Sequence, residues 1–126
     1  MKKLLLALSI FVIIILFSIL TMSSFKRSSQ KISVMVEKSS KFISIGRWDD
    51  AQNQIVDIEK IWSKTEKTWA LLIDHMEIDN IDVSLIKSKK YIETKNLTLS
   101  LSELDILKFM IEHISDKELF NLKNIF

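Results

Sequence analysis

The sequence predicts an all-α protein: an N-terminal transmembrane helix followed by a small antiparallel helical bundle. Three observations predict it. The 126 residues include one glycine and no proline, whereas sheets need far more turn punctuation than that. Residues Leu4 to Met22 carry no charge, and a helix of that length covers roughly 28 Å, about the hydrocarbon thickness of a bilayer. From Trp48, every seventh residue gives Ile55, Trp62, Trp69 and Met76, with Ala51, Ile58, Thr65 and Leu72 at the offset of three. That is one apolar stripe at helical period, and it holds all three tryptophans.

Residues 1–23 read as a transmembrane signal anchor, with Lys2 and Lys3 before the span and Lys26, Arg27 and Lys31 after it. A cleaved signal peptide is the rival reading. Its apolar core is usually only about 7–15 residues long, with small residues at the cleavage site, and Thr21-Met22-Ser23 fits that site poorly. The bilayer is therefore the expected partner of residues 4–22, and a single-pass protein of the cell membrane the expected object. A long domain after a short tail favours an extracytoplasmic domain, although the excess of cations after the span argues the other way.

Residues 24–47 read as a basic juxtamembrane helix. Six cations stand there against Glu37, a balance of +5, where anionic head groups attract them. Ser23 to Ser29 is either a short neck or the end of the membrane helix. Ile32, Met35, Val36, Phe42 and Ile43 then share one side, interrupted at Ser39. An ordinary packed helix is preferred to one lying on the membrane surface. Gly46 ends this stripe and suits a helix C-cap.

Residues 48–126 form the expected bundle domain. Ten lysines against fifteen carboxylates give it a balance of −5, so nucleic acid is not an expected partner. Asp49 and Asp50 suit the first turn of a helix. A straight helix from Trp48 to Met76 would return to the membrane, so a break is expected at Glu77–Asn80, with the capping box Ser63-Lys64-Thr65-Glu66 as the second choice. A helix over about Asp79 to Thr94 follows. Ser100 to Glu103 and Ser115 to Glu118 are two further capping-box patterns, expected to open a helix with Leu104, Leu107, Met110, Ile111 and Ile114 inward and a last short helix ending at Phe126.

The chemistry available is narrow. One glycine cannot build a phosphate-cradling loop, and the chain has no cysteine for disulfides or thiolate metal sites. The candidate functional side chains are Asp74, His75, Glu77, Asp79, Asp82, Glu112 and His113. His75 and Asp79 are four apart, a spacing that puts two ligands on one helix face, and His113 would have to come from another helix. The competing reading makes His75 a hydrogen-bonded residue at the edge of the core and Asp79 a helix cap. A shared site of His75 and His113, each near a helix C-terminus with Asp79 and Ser115 as caps, is a further expectation. Trp62 and Trp69 at heptad spacing are expected in the core.

The run Trp69-Ala70-Leu71-Leu72-Ile73-Asp74-His75-Met76-Glu77-Ile78-Asp79-Asn80-Ile81 resembles the central motif of a bacterial family, domain-of-unknown-function family 4363. So does the end of the chain, from Glu112-His113-Ile114 through Lys117-Glu118 to Asn121-Leu122-Lys123-Asn124-Ile125-Phe126. Members resemble this chain in being short and beginning with one hydrophobic span. Ser115 stands where the family pattern often has a proline. The resemblance implies no activity and no catalytic residues.

The expected function is a membrane-anchored, non-enzymatic interaction or scaffold domain with a protein partner and no cofactor. Trp62, Trp69, Asp74, His75, Glu77, Asp79, His113 and Asn124 are its motif residues. The alternative is a metal-binding or pH-sensing domain using His75 and His113, with Asp79 as a third ligand candidate.

Overall fold

The computed structural model describes residues 1–125, and the side chains of all of these but 119, 122, 123 and 125. Four helices follow one another: α1 (Lys2–Ser44), α2 (Trp48–Trp69), α3 (His75–Glu93) and α4 (Leu97–Ile125). α1 packs on α2 and α4, and α3 packs on the same two. Short connections make each successive pair antiparallel, giving an up-down-up-down four-helix bundle. Phe126 lies outside the described residues, so the expected end of the last helix is followed only as far as Ile125.

α1 contains 43 residues, roughly 64 Å of helix, and it does two jobs. Its N-terminal half is long and apolar enough to cross a membrane, with a mean hydropathy of 3.0 over its best window and no residue of that window buried. The few hydroxyls there are satisfied within the helix: Ser9 donates to the Leu6 carbonyl at 2.8 Å, Ser18 to Ile14 at 2.9 Å and Thr21 to Phe17 at 2.8 Å. Its C-terminal half buries Phe25, Ile32, Val36 and Ile43 and is one wall of the bundle. Ser23 to Ser29 is thus continuous helix, and residues 24–47 fold together with residues 48–126.

Ser39 interrupts the apolar stripe in sequence but not in space, because its side chain is fully buried. Ser29, Ser33, Ser84, Ser88, Ser100 and Ser115 are buried as well, small residues where helices approach closely. Ser29 donates across the α1–α4 contact to the Ile111 carbonyl at 3.2 Å, and Ser33 to Glu112 Oε1 at 2.5 Å. Glu37 and Lys108 extend the same antiparallel register at 3.8 Å.

Two helix ends close in the same way. Gly46, at φ 77°, lets the Arg47 N–H reach the Phe42 carbonyl (2.9 Å) and its own N–H reach Ile43 (3.0 Å), the paired bonds of a Schellman cap. Lys95, at φ 53°, does the same after α3, with Asn96 bonded to Tyr91 and Lys95 to Ile92, both at 3.0 Å. Asp49 and Asp50 occupy the first turn of α2.

The break after α2 differs from expectation. α2 runs through Ser63 without interruption, Ser63 and Thr65 donating back to the Lys60 and Ile61 carbonyls. It ends at Trp69 rather than at Glu77–Asn80. Asp74 is the reason: its Oδ1 accepts the Met76 N–H at 2.8 Å and caps α3. With Glu77 three residues further on, this is an N-terminal start pattern, in the very run that resembles the family motif. Likewise α4 opens at Leu97, where Asn96 Oδ1 accepts the Leu99 N–H at 3.0 Å. The patterns at Ser100 and Ser115 therefore fall inside one helix, where both serines are buried.

The tryptophan stripe forms the centre of the core from Ala51 to Trp69, with Trp48 and Thr65 partly buried. It does not continue beyond: Leu72 and Met76 are exposed, because α2 ends at Trp69. Trp69 is 1 % exposed; its ring stacks on Phe25 (centroids 4.3 Å apart, planes 10° apart) and meets Trp62 edge-on at 5.5 Å. Truncating such a ring typically costs about 3–5 kcal/mol, and a stacked aromatic pair couples by about 0.5–1.5 kcal/mol. Denaturant unfolding of the full chain in detergent should show Trp69→Ala strongly destabilised and Phe25→Ala milder in the Trp69→Ala background than alone. Strict additivity of the two would show that the stack does not couple α1 to α2.

Candidate interaction surface

The expected motif residues are distributed over the bundle rather than gathered. Trp62 and Trp69 are buried, and Trp62 Nε1 donates to Asp82 Oδ1 at 2.5 Å. Asp74 is the α3 cap, and His75 is the first residue of α3, exposed. Glu77 accepts from Lys117 Nζ at 3.1 Å, a bond that holds the Lys117 ammonium above its ordinary pKa. Asp79 is an exposed residue inside α3 and caps nothing, and Asn124 is exposed near the end of α4.

His113 lies in the middle of α4, exposed, its ring stacked on Phe109 with centroids 5.3 Å apart. Neither histidine is at a helix C-terminus, so the dipole argument for a shared imidazolium site does not apply to them. The Glu77–Lys117 pair fixes the α3–α4 register, which sets His113 level with Ile81, roughly 9 Å along the axis from His75. Among the described residues no three His, Asp or Glu side chains converge as metal ligands, so the set His75, Asp79 and His113 is not assembled.

The helix pattern of α4 explains a different surface. Leu104, Leu107, Ile111 and Ile114 face the core. Leu99, Ile106, Phe109 and Phe120 are exposed on the other side, Phe109 by 63 %. Leu99, Ile106, His113 and Phe120 are seven residues apart in series, and Phe109 sits between two of them. α4 therefore carries two apolar faces, one packed and one bare. The sequence held this signal, since the second heptad series is visible in it, but assigning the helix a single inward face hid it. Exposed apolar stripes commonly mark association surfaces, which makes this one the candidate.

Grooves run between the helices of the bundle. One, of about 510 Å³, lies between α1 and α4 and is lined by Lys26, Gln30, Ser33, Glu37, Lys108 and Glu112, among others. Its charges neutralise one another, with Lys108 3.8 Å from Glu37 and 3.7 Å from Glu112. Another, of about 360 Å³, lies between α2 and α3 and brings Glu66 beside Asp82 and Trp62. Desolvation, together with the charge and hydrogen bond of Asp82, raises the Glu66 pKa above its ordinary 4.5.

This architecture defines a class: an antiparallel four-helix bundle whose first helix extends into a long apolar segment, with a bare apolar stripe on its last helix. The chain belongs to the family described as domain of unknown function DUF4363, whose model matches residues 19–125. The match begins in the last turn of the apolar segment and takes in the whole described bundle. No curated protein and no solved structure matches the chain.

The Glu66 environment has a testable consequence. A carboxyl whose folded pKa is raised binds its proton more tightly in the native state, so its ionised form penalises folding above that pKa. The penalty fades as pH falls through the folded pKa and is gone below the unfolded one. Glu66→Gln should therefore raise the melting temperature near neutral pH, and the gain should vanish below the ordinary carboxyl value of 4.5. A gain independent of pH across that range would contradict the assignment.

Proposed function

We propose that the chain is a membrane-anchored, non-enzymatic interaction module. Residues 4–22 cross the bilayer as an uncleaved anchor, the bundle stands on the extracytoplasmic side, and the outer face of α4 binds an apolar helix of a protein partner. The observation that carries the proposal is the bare stripe of Leu99, Ile106 and Phe109 on a helix whose opposite face is already filled by core. A helix laid along it would find anchors at helical spacing, the usual signature of helix-in-groove recognition. The anchor reading is supported by an apolar segment continuous with the bundle wall, so that the bundle is held at a fixed height.

The absence of cysteine from the chain allows one experiment to test both parts. Phe109→Cys and, as the control, Asn53→Cys at an exposed position of α2 are expressed in full-length protein. A membrane-impermeant, thiol-reactive crosslinker is then applied to intact cells. The expected result is labelling at both positions and a higher-mass adduct from position 109 only, lost when Ile106→Glu is added. Labelling at both positions with no adduct specific to 109 would contradict the docking face. Labelling that requires lysis would reverse the orientation.

A further inference from the structure

The turn between α2 and α3 is built unlike the other two. The turns at Gly46 and Lys95 close with paired cap bonds around a residue of positive φ, and each leaves one bare apolar side chain beside it, Ile45 and Leu97, whereas this one gathers three. Leu71 is 82 % exposed, Met76 70 % and Leu72 45 %. Only Ile73 of this turn folds back into the core. Three apolar side chains pointing into water at one hairpin tip are expensive to leave there.

Their height in the molecule supplies the reason. Phe25 and Trp69 are stacked, which fixes the antiparallel register of α1 and α2. Counting on from that pair, Leu71 and Leu72 fall level with residues 23 and 22, where the apolar segment of α1 ends. The groove beside the stack agrees with the register, since Ser24 and Ser28 of α1 line it together with Thr65 and Thr68 of α2, and Phe17, Leu20 and Thr21 extend it along the apolar segment. Met76 lies at the same end, one residue before Glu77, which bonds Lys117. Phe120, three residues past Lys117, is exposed there as well. Lys26, Arg27 and Lys67 are exposed about one turn above, the height at which head-group phosphates would meet them. Of the carboxylates at this end, Asp74 caps α3 and Glu77 bonds Lys117, while Asp116 shares a groove with Lys26 and Glu118 lies beside Lys117.

We propose that the α2–α3 turn is a second membrane contact, in which Leu71, Leu72 and Met76 enter the boundary between head groups and acyl chains of the bilayer that α1 crosses. This rests on residues 4–22 being the anchor. The bundle then meets the membrane through two separate places, the shaft of α1 and the tip of a hairpin, and cannot swing freely about α1. The side chains entering the interface are apolar, and the cations above them favour anionic lipid.

The test uses full-length protein in vesicles of phosphatidylcholine and phosphatidylglycerol, with one nitroxide-labelled cysteine per variant: Leu8→Cys in the anchor, Leu71→Cys and Met76→Cys at the turn, and Ile45→Cys at the opposite end. Ile45 is 68 % exposed, so the control also replaces a bare apolar residue. Collision rates with oxygen, which concentrates in lipid, are divided by those with a water-soluble nickel chelate. The proposal expects a ratio at 71 and 76 several-fold above that at 45 and below that at 8. A ratio at 71 and 76 equal to that at 45, with 8 still lipid-exposed, overturns the proposal and leaves the anchor standing. A water-like ratio at 8 as well would overturn the anchor, and this inference with it.

Discussion

The stack of Phe25 on Trp69 is the contact on which the rest of the structure depends. It lies where the apolar segment of α1 becomes a bundle helix, and it joins that point to the end of α2. Because α1 is continuous there, the bundle has no separate neck. The stack sets which turn lies beside the apolar segment, while the Ser29–Ile111 and Glu77–Lys117 contacts set the height of α4. Aromatic stacking suits such a joint, since the geometry is specific and the buried area large.

The fold class is legible in the sequence because it rests on long periodic signals: the uncharged run from Leu4 to Met22, the tryptophan heptads, and a chain with a single glycine. Gly46 is legible for a local reason, since a positive φ at a helix end favours glycine. The helix boundaries after Trp69 are not. Asp74 reads as a functional carboxylate when its role is a cap, and Ser63, Ser100 and Ser115 read as caps when they lie inside helices. A capping pattern is a few residues long and recurs by chance, whereas burial on both sides of a position decides the matter. Trp62 and Trp69 both buried in one register keep α2 whole across Ser63, and Ser100 and Ser115 are held in α4 by core contacts.

The site is the least legible part, for a physical reason. The motif residues quoted for the family resemblance are largely architectural here: Trp69 packs, Asp74 caps, and Glu77 pairs with Lys117 to hold α3 on α4. Among what remains bare are two apolar groups, the outer face of α4 and the α2–α3 turn, besides scattered residues such as Val34, Ile45, Val83 and Ile86. Apolar residues give no chemical signal in a sequence beyond periodicity, and a helix with two apolar faces blurs even that. Several charged groups, by contrast, are paired with one another, as Lys89 is with Glu59 and Lys108 with Glu112.

The central claim is that one unbroken helix links the apolar segment to the bundle, so that the bundle's position is fixed by the segment. The most direct measurement is the distance between nitroxides at Ile13→Cys and Lys41→Cys in the full-length protein reconstituted in lipid, read by pulsed electron–electron resonance. Both positions are exposed on α1, and a continuous helix between them predicts a narrow distribution centred at about 42 Å. A broad distribution, or a centre several ångströms shorter, would show a hinge near Ser23–Ser29 and contradict the account.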